Sequence, residues 1–324
     1  MLYPLKFTPI LKSTIWGGKD ICKFKHIEPQ QSGIGESWEV SHVKGSVSVV
    51  SNGELTGKSL TELMDQFTFL LLGKKVFVRF GKNFPLLIKY IDACDDLSIQ
   101  VHPDDVLAAK RHDSYGKTEM WYVINAKKDA ALYSGFSRKI TPDEYVKSVA
   151  NNTFTSSLQS HKVAKGDVFF LPAGRVHAIG SGTFIAEIQQ SSDITYRIYD
   201  YNRKDKFGNG RELHTELAKD AIDYNLYTNY KTEYTKIENQ PVNLAECNYF
   251  TTNLLSLTET VERNNLDKDS FIIYMCMSGE VELTDSMNST ISIRKGETVL
   301  IPAATANVRI TPMENSELIE TYIP

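Results

Sequence analysis

The sequence predicts a mainly β protein with a few helices, assembled from two copies of one β module. Two observations point there. Most of the 324 residues fall into short β-branched or aromatic runs punctuated by Gly, Pro and Asn. In addition, K-G-D-V-F-F-L-P-A-G-R-V-H at 165–177 is matched in register by K-G-E-T-V-L-I-P-A-A-T-A-N at 295–307. An apolar strand precedes each copy, E-M-W-Y-V-I-N from Glu119 and F-I-I-Y-M-C-M from Phe271. In both, a Lys-Gly-acidic turn feeds a buried strand, which a Pro ends where no ladder donor is needed.

Taken along the chain, S-L-T-E-L-M-D-Q-F from Ser59 starts a helix, because Glu62 stands three residues after the Ser cap. S-I-Q-V-H-P-D-D (98–105) reads as a strand in which Gln100 and His102 share a face. Pro103 would end that strand at a rim. Asp104 and Asp105 are expected to cap the helix P-D-D-V-L-A-A-K-R-H, where acids favour the N-terminal dipole. T-P-D-E-Y-V-K-S-V-A (141–150) has a Thr cap, Pro at the first helical position and acids in the first turn. R-E-L-H-T-E-L-A-K-D-A-I-D-Y (211–224) has helical apolar spacing. W-Y-V-I-N, D-V-F-F-L-P, T-F-I-A-E-I, F-I-I-Y-M-C-M and E-T-V-L-I-P read as strands.

Composition removes several function classes. The 36 basic and 40 acidic residues are mixed along the chain, with no basic block, so a nucleic-acid partner is not expected. No apolar run approaches the roughly 20 residues that span a bilayer. The start, M-L-Y-P-L-K-F-T-P, lacks the order of a signal peptide. Cys22, Cys94, Cys247 and Cys276 show no paired spacing and are expected to be reduced core thiols. A cytoplasmic protein is expected, as a monomer or weak homodimer, with no membrane partner.

The repeated order of strand, excursion, turn and strand resembles the jelly-roll module of the cupin superfamily, occurring twice. The expected division is a metal-binding catalytic module at 1–235, with N-terminal and helical additions, and a degenerate C-terminal module at 236–324. The copies differ where chemistry is expected. His177 aligns with Asn307, and the second copy has no counterpart of Glu119 and no Gln-x-His strand before it. If the fold alone required His177, the second copy should keep it.

Gln100, His102, Glu119 and His177 are therefore the candidate metal ligands. Two imidazoles and a carboxylate suit zinc and other borderline divalent ions. With three neutral ligands and one Glu, a divalent ion keeps a formal charge of about +1, which favours polarising a substrate oxygen. Two His and a carboxylate also make the triad of non-haem iron oxygenases, against which the fourth ligand Gln100 weighs. A sugar-binding cupin without catalysis is the third reading.

Four segments sharpen this: S-I-Q-V-H-P-D-D, G-K-T-E-M-W-Y-V, G-R-V-H-A-I-G and T-Y-R-I-Y-D-Y-N-R. With W-G-G (16–18), G-E-S-W-E-V-S (35–41) and P-L-L-I-K-Y-I-D-A (85–93), they resemble type I phosphomannose isomerases over nearly the whole chain. The length is similar to the short bacterial form; Thr118 departs from the Pro of many relatives. The resemblance implies zinc, one per chain, held by Gln100, His102, Glu119 and His177. It also implies conversion of mannose 6-phosphate to fructose 6-phosphate through a cis-enediol, with Arg197 catalytic. Lys117, two residues before Glu119, is a candidate acid–base group, and a metal-bound water is its rival. Lys89, inward in an apolar strand, and Ser98, two before Gln100, match positions associated with the substrate phosphate. Trp16, Trp38 and Glu36 are candidates to line the sugar site, with core packing and a structural ion pair as the alternatives. His112 and His161 receive no role.

Overall fold

The computed structural model describes residues 2–28, 30–204 and 207–324. Three central strands show how the first module is built. In Leu86–Ala93, Glu119–Ala126 and Thr183–Gln190 nearly every residue is buried on both faces. One face carries Ile88, Tyr90, Met120, Tyr122, Ala186 and Ile188, which pack in a core shared with Leu254, Phe271, Ile273 and Ile319 of the C-terminal module. The period-2 alternation then turns Lys89, Ile91, Glu119, Trp121, Ile185 and Glu187 to the interior of the first module. That interior is divided along its length. Ile91, Trp121, Val123, Leu132, Phe169, Ile179 and Ile185 form an apolar plug at one end. Lys89, Glu119 and Glu187 are buried at the other.

The wall is completed by two sheets. The seven-stranded sheet runs Ile10–Gly18, Ile34–Val40, Leu86–Ala93, Thr183–Gln190, Glu119–Ala126, Val168–Leu171 and Lys231–Thr232. Facing it is a five-stranded sheet of Tyr196–Tyr199, Ile99–Val101, His177–Ile179, Ala131–Phe136 and Leu158–Lys162. Helices Pro142–Ala150 and Thr215–Ala221 cover its outer face through Tyr145, Val149 and Ala218, against Ile99, Val101, Tyr196 and Ile198. The second module is likewise two sheets, of five and four strands, around Tyr274, Ile293, Val299 and Ile310. The turns of the repeat are alike, with Gly166 at φ +90° and Gly296 at φ +87°, a region glycine enters without a Cβ penalty.

Most sequence expectations for elements hold. Leu60–Phe67 and Pro142–Ala150 are helices with complete capping boxes at Ser59 and Thr141. Asp104 caps Asp105–His112 by accepting from the Leu107 amide, but Asp105 does not cap. Its carboxylate turns away to Gly116, Gln190 and Tyr249. The helix expected over 211–224 is only Thr215–Ala221. Residues before it are drawn off instead. Arg211 pairs with Asp200, and His214 exchanges backbone and side-chain hydrogen bonds with Arg197. All four cysteines are free, but only Cys22 and Cys276 are core residues; Cys94 follows the end of its strand and is exposed.

Register gives the second module's interior position by position. Trp121 pairs with Glu187 and Lys89 with Glu187 in the first module, as Tyr274 pairs with Glu320 and Asn253 with Glu320 in the second. Leu171 opposes Glu119 where Ile301 opposes Ile272, so isoleucine stands in the place of the carboxylate. Asn307, matched to His177 by sequence, turns outward and is exposed, and its neighbour Val308 enters the core. The sequence alignment is thus off the structural face by one residue there.

Glu320 keeps its charge in this apolar setting by accepting from Arg263 (3.1 and 2.9 Å), Tyr274 (3.0 Å) and Asn253 (3.0 Å). Burial alone would raise its pKa, and Arg263 with these donors holds it below the usual carboxylate range. A depressed folded-state pKa stabilises the fold above the unfolded carboxyl's titration range, and that contribution drains away as pH falls through it. Arg263→Ala leaves a buried carboxylate unpaired and is expected to destabilise the protein by about 3 kcal/mol. Chemical denaturation checks this. The deficit should shrink toward acid pH; a pH-independent loss would point to packing alone.

Candidate metal centre and substrate cavity

Three side chains from three strands converge at the polar end of the first module. His102 follows Ile99–Val101, His177 opens His177–Ile179, and Glu119 opens Glu119–Ala126 across the interior. One ligand atom from each lies within 4.8 Å of the others, and all three residues are buried. His177 Nε2 stands 3.3 Å from one Glu119 oxygen and His102 Nε2 3.6 Å from the other. Gln100 pairs in register with His177 and places its side-chain amide 3.3 Å from His177 Nε2.

Backbone carbonyls set the orientation of both rings. His102 Nδ1 donates to the Ile194 carbonyl and His177 Nδ1 to the Arg175 carbonyl, each at 2.8 Å. That fixes the tautomer with a lone pair on each Nε2 facing inward, the outer-shell arrangement of metal-bound histidines. Burial lowers both imidazoles, His177 to about 3 and His102 well below its ordinary value, so both are neutral at physiological pH. Glu119 is the complement. Burial raises its carboxyl above the usual range despite Lys117. Neither of its oxygens has an oriented hydrogen bond. A fully buried carboxylate with two inward lone pairs beside it fits a cation. The Lys117 ammonium marks the place, 3.1 Å from both His102 Nε2 and Glu119 Oε2.

Lys117 precedes the strand rather than lying in it, yet its buried side chain reaches the cage that Glu119 shares. Next to the cage is a cavity of about 460 Å3, within the usual range of ligand pockets. Trp16, Glu36, Trp38, Lys89, Ser98, Gln100, Lys117 and Arg197, all singled out in the sequence, line it. Glu36 accepts from Trp38 Nε1 at 2.6 Å and lies 3.6 Å from Lys89, so the structural pair expected of it is present inside the cavity wall. Lys89 lies 3.1 Å from Glu187. Burial would lower this lysine, but Glu187 and Glu36 hold it well above its ordinary range. Arg197 neighbours Gln100 across the strands and has no carboxylate partner among the described residues. Asp200, three residues on, is taken by Arg203 and Arg211. One Arg197 amine donates to the Glu212 carbonyl at 3.0 Å, while its buried Nε has no partner.

Sequence reasoning missed Glu187 and Arg211, both in this wall. Glu187 also accepts from Trp121 at 2.9 Å, and Lys89 holds its carboxyl low despite burial. An acid in the middle of T-F-I-A-E-I was the signal available. Arg211 carried none, because Asp200, which orients it, stands 11 residues before it in the chain. His112 and His161 bond Tyr196 and the Ser134 carbonyl and are not among the three clustered residues.

The chain is similar to known proteins over nearly its whole length. A family model described as phosphomannose isomerase type I, catalytic domain, matches residues 4–140, and one described as mannose-6-phosphate isomerase, cupin domain, matches 241–323. The mannose-6-phosphate isomerase ManA of Bacillus subtilis is 35% identical over 92% of this chain and 93% of its own. That of Streptococcus mutans is 33% identical over 93% of each. A crystal structure of the mannose 6-phosphate isomerase from Bacillus subtilis superposes with a TM-score of 0.88 at 30% identity, covering 99% of both chains. The chain belongs to the type I phosphomannose isomerases.

Proposed function

We propose that this protein interconverts mannose 6-phosphate and fructose 6-phosphate in the cytoplasm, using zinc held by Gln100, His102, Glu119 and His177. The convergence of two oriented, neutral imidazoles on a buried carboxylate carries the reading. Gln100 would offer its carbonyl oxygen, a half-turn of the terminal amide from the donating orientation it holds against His177. When bound, the ion supplies Lewis acidity toward a substrate oxygen.

The remaining work falls to side chains. In the aldose the proton on C2 must leave and return at C1, while a hydroxyl proton passes from O2 to O1, through a cis-enediol. Lys117, whose Nζ borders the cage, would take the C2 proton as the neutral amine and return it to C1. Arg197 meets the oxyanion that develops on O1 and O2, with two parallel donors available to it. Ser98 and Lys89 take the phosphate, Lys89 sharing its charge with Glu187 and Glu36. Trp16, Trp38 and Glu36 flank the sugar. Residues 1–235 would then form the catalytic module and 236–324 a module that has lost the cage.

Chelation tests the assignment. Turnover of mannose 6-phosphate, followed by coupled assay, should vanish with the metal and return when zinc is restored. Full activity in metal-free protein, or oxygen uptake in place of isomerisation, would remove it.

A further inference from the structure

Asp105 was expected to cap a helix, yet it lies at the centre of a polar hub that joins the two modules. Its Oδ1 accepts from the Gly116 amide at 2.8 Å and from Gln190 Nε2 at 3.0 Å. Its Oδ2 accepts from the Tyr249 hydroxyl at 2.7 Å. Tyr249 belongs to the other module, in the turn between Pro241–Glu246 and Thr251–Leu257. The hub continues to the cage. Gln190 Oε1 accepts from the Thr118 amide at 2.8 Å, and the Gln190 amide donates to the Thr118 carbonyl at 3.1 Å. Both backbone groups of the residue between Lys117 and Glu119 are therefore held by one side chain and its own backbone. Thr118 Oγ1 and the Lys117 amide are bound as well, to the Ala173 amide and the Pro103 carbonyl. Slack is absent at the start of the segment. A Cβ on Gly116 would stand 2.6 Å from the Asp104 carbonyl carbon and the Asp105 nitrogen.

We propose that Tyr249 is a positioning residue for catalysis, supplied by the metal-free module: through Asp105 and Gln190 it holds 116–119, and so Lys117 and Glu119, in place. The inference rests on the isomerase reading above. Adhesion between the modules does not require this hub, since the shared core already joins them through Tyr90, Met120, Phe271 and Ile273. What Asp105 adds is direction. Tyr249 is itself placed under the Arg79 guanidinium, 5.6 Å from its ring centre. Burial and Asp105 push its phenol up to about 12, so it remains a donor at working pH.

The test compares full-length, zinc-loaded wild type with Tyr249→Phe, Asp105→Ala and the double variant. Tyr249→Phe removes one oxygen and should fold normally. Its kcat is expected to fall about tenfold, as small misplacements of reacting groups do, with KM within about twofold and zinc content unchanged. Amide exchange at 116–119 should quicken, and the double variant should be no slower than Asp105→Ala. Wild-type kcat with unchanged exchange in Tyr249→Phe, losses that multiply in the double variant, or a change confined to KM would each overturn the proposal. An inactive wild type would instead sink the isomerase reading, and the exchange rates would still decide the bracing.

Discussion

His177→Ala is expected to empty the cage and stop the reaction. Metal affinity should fall by more than about a hundredfold, the upper end of what losing a mere supporting partner costs. Turnover should drop by on the order of a thousandfold, since the positive charge that meets the developing oxyanion leaves with the ion. The consequence spreads within the site, because His177 accepts from Gln100 and faces one of the two Glu119 oxygens. Two controls separate ligand loss from unfolding. His177→Gln keeps a neutral polar group and should still lose the metal. Asn307→Ala, at the sequence-matched position, alters an exposed side chain and should change stability by less than about 0.5 kcal/mol, with activity intact. Elemental analysis after gel filtration, circular dichroism and the coupled assay measure the three quantities. A His177→Ala protein that retains stoichiometric zinc would show that the cage is not the metal site.

The contrast between His177 and Asn307 shows how the sequence could be read so far. Turn chemistry is local, so Lys165-Gly166-Asp167 and Lys295-Gly296-Glu297 announce the same β unit twice. The clustered side chains were legible for a related reason. A polar residue on a strand that should be apolar contradicts its own element, and Gln100 and Glu119 do so, with His102 just past the end of its strand. Glu187 does so too, but within a six-residue run its charge could be assigned to no partner until strand pairing set it beside Lys89. What stayed hidden depends on contacts distant in the chain. Asp105 has the sequence context of a helix start, and only its folded contacts with Gly116, Gln190 and Tyr249, the last 144 residues away, reveal its other use. Likewise 211–214 has helical spacing, but its polar groups bond better to Asp200 and Arg197 than to a helix. Local propensity worth tenths of a kcal/mol per residue yields to such tertiary contacts.

Arg197→Ala should separate binding of the ion from use of it. The guanidinium touches none of the three clustered ligands and lies on the strand beside Gln100, so zinc content should be unchanged. The rate should fall by about 10²–10³, the range for removing one preorganised donor to an oxyanion. KM should move far less, because the charge that Arg197 meets is small in the bound sugar and grows only toward the enediol. Arg197→Lys should recover little, since an ammonium cannot reproduce two parallel donors. Arg211 gives the internal comparison. It lines the same cavity, but Asp200 already engages its guanidinium, so Arg211→Ala should affect KM more than kcat. The buried Nε of Arg197, which has no protein partner, is the structural reason for the difference, because it leaves a donor for a ligand that accepts. If Arg197→Ala turned over near the wild-type rate, that readiness would have no catalytic meaning and the oxyanion would have to be met by Lys117 and the ion alone.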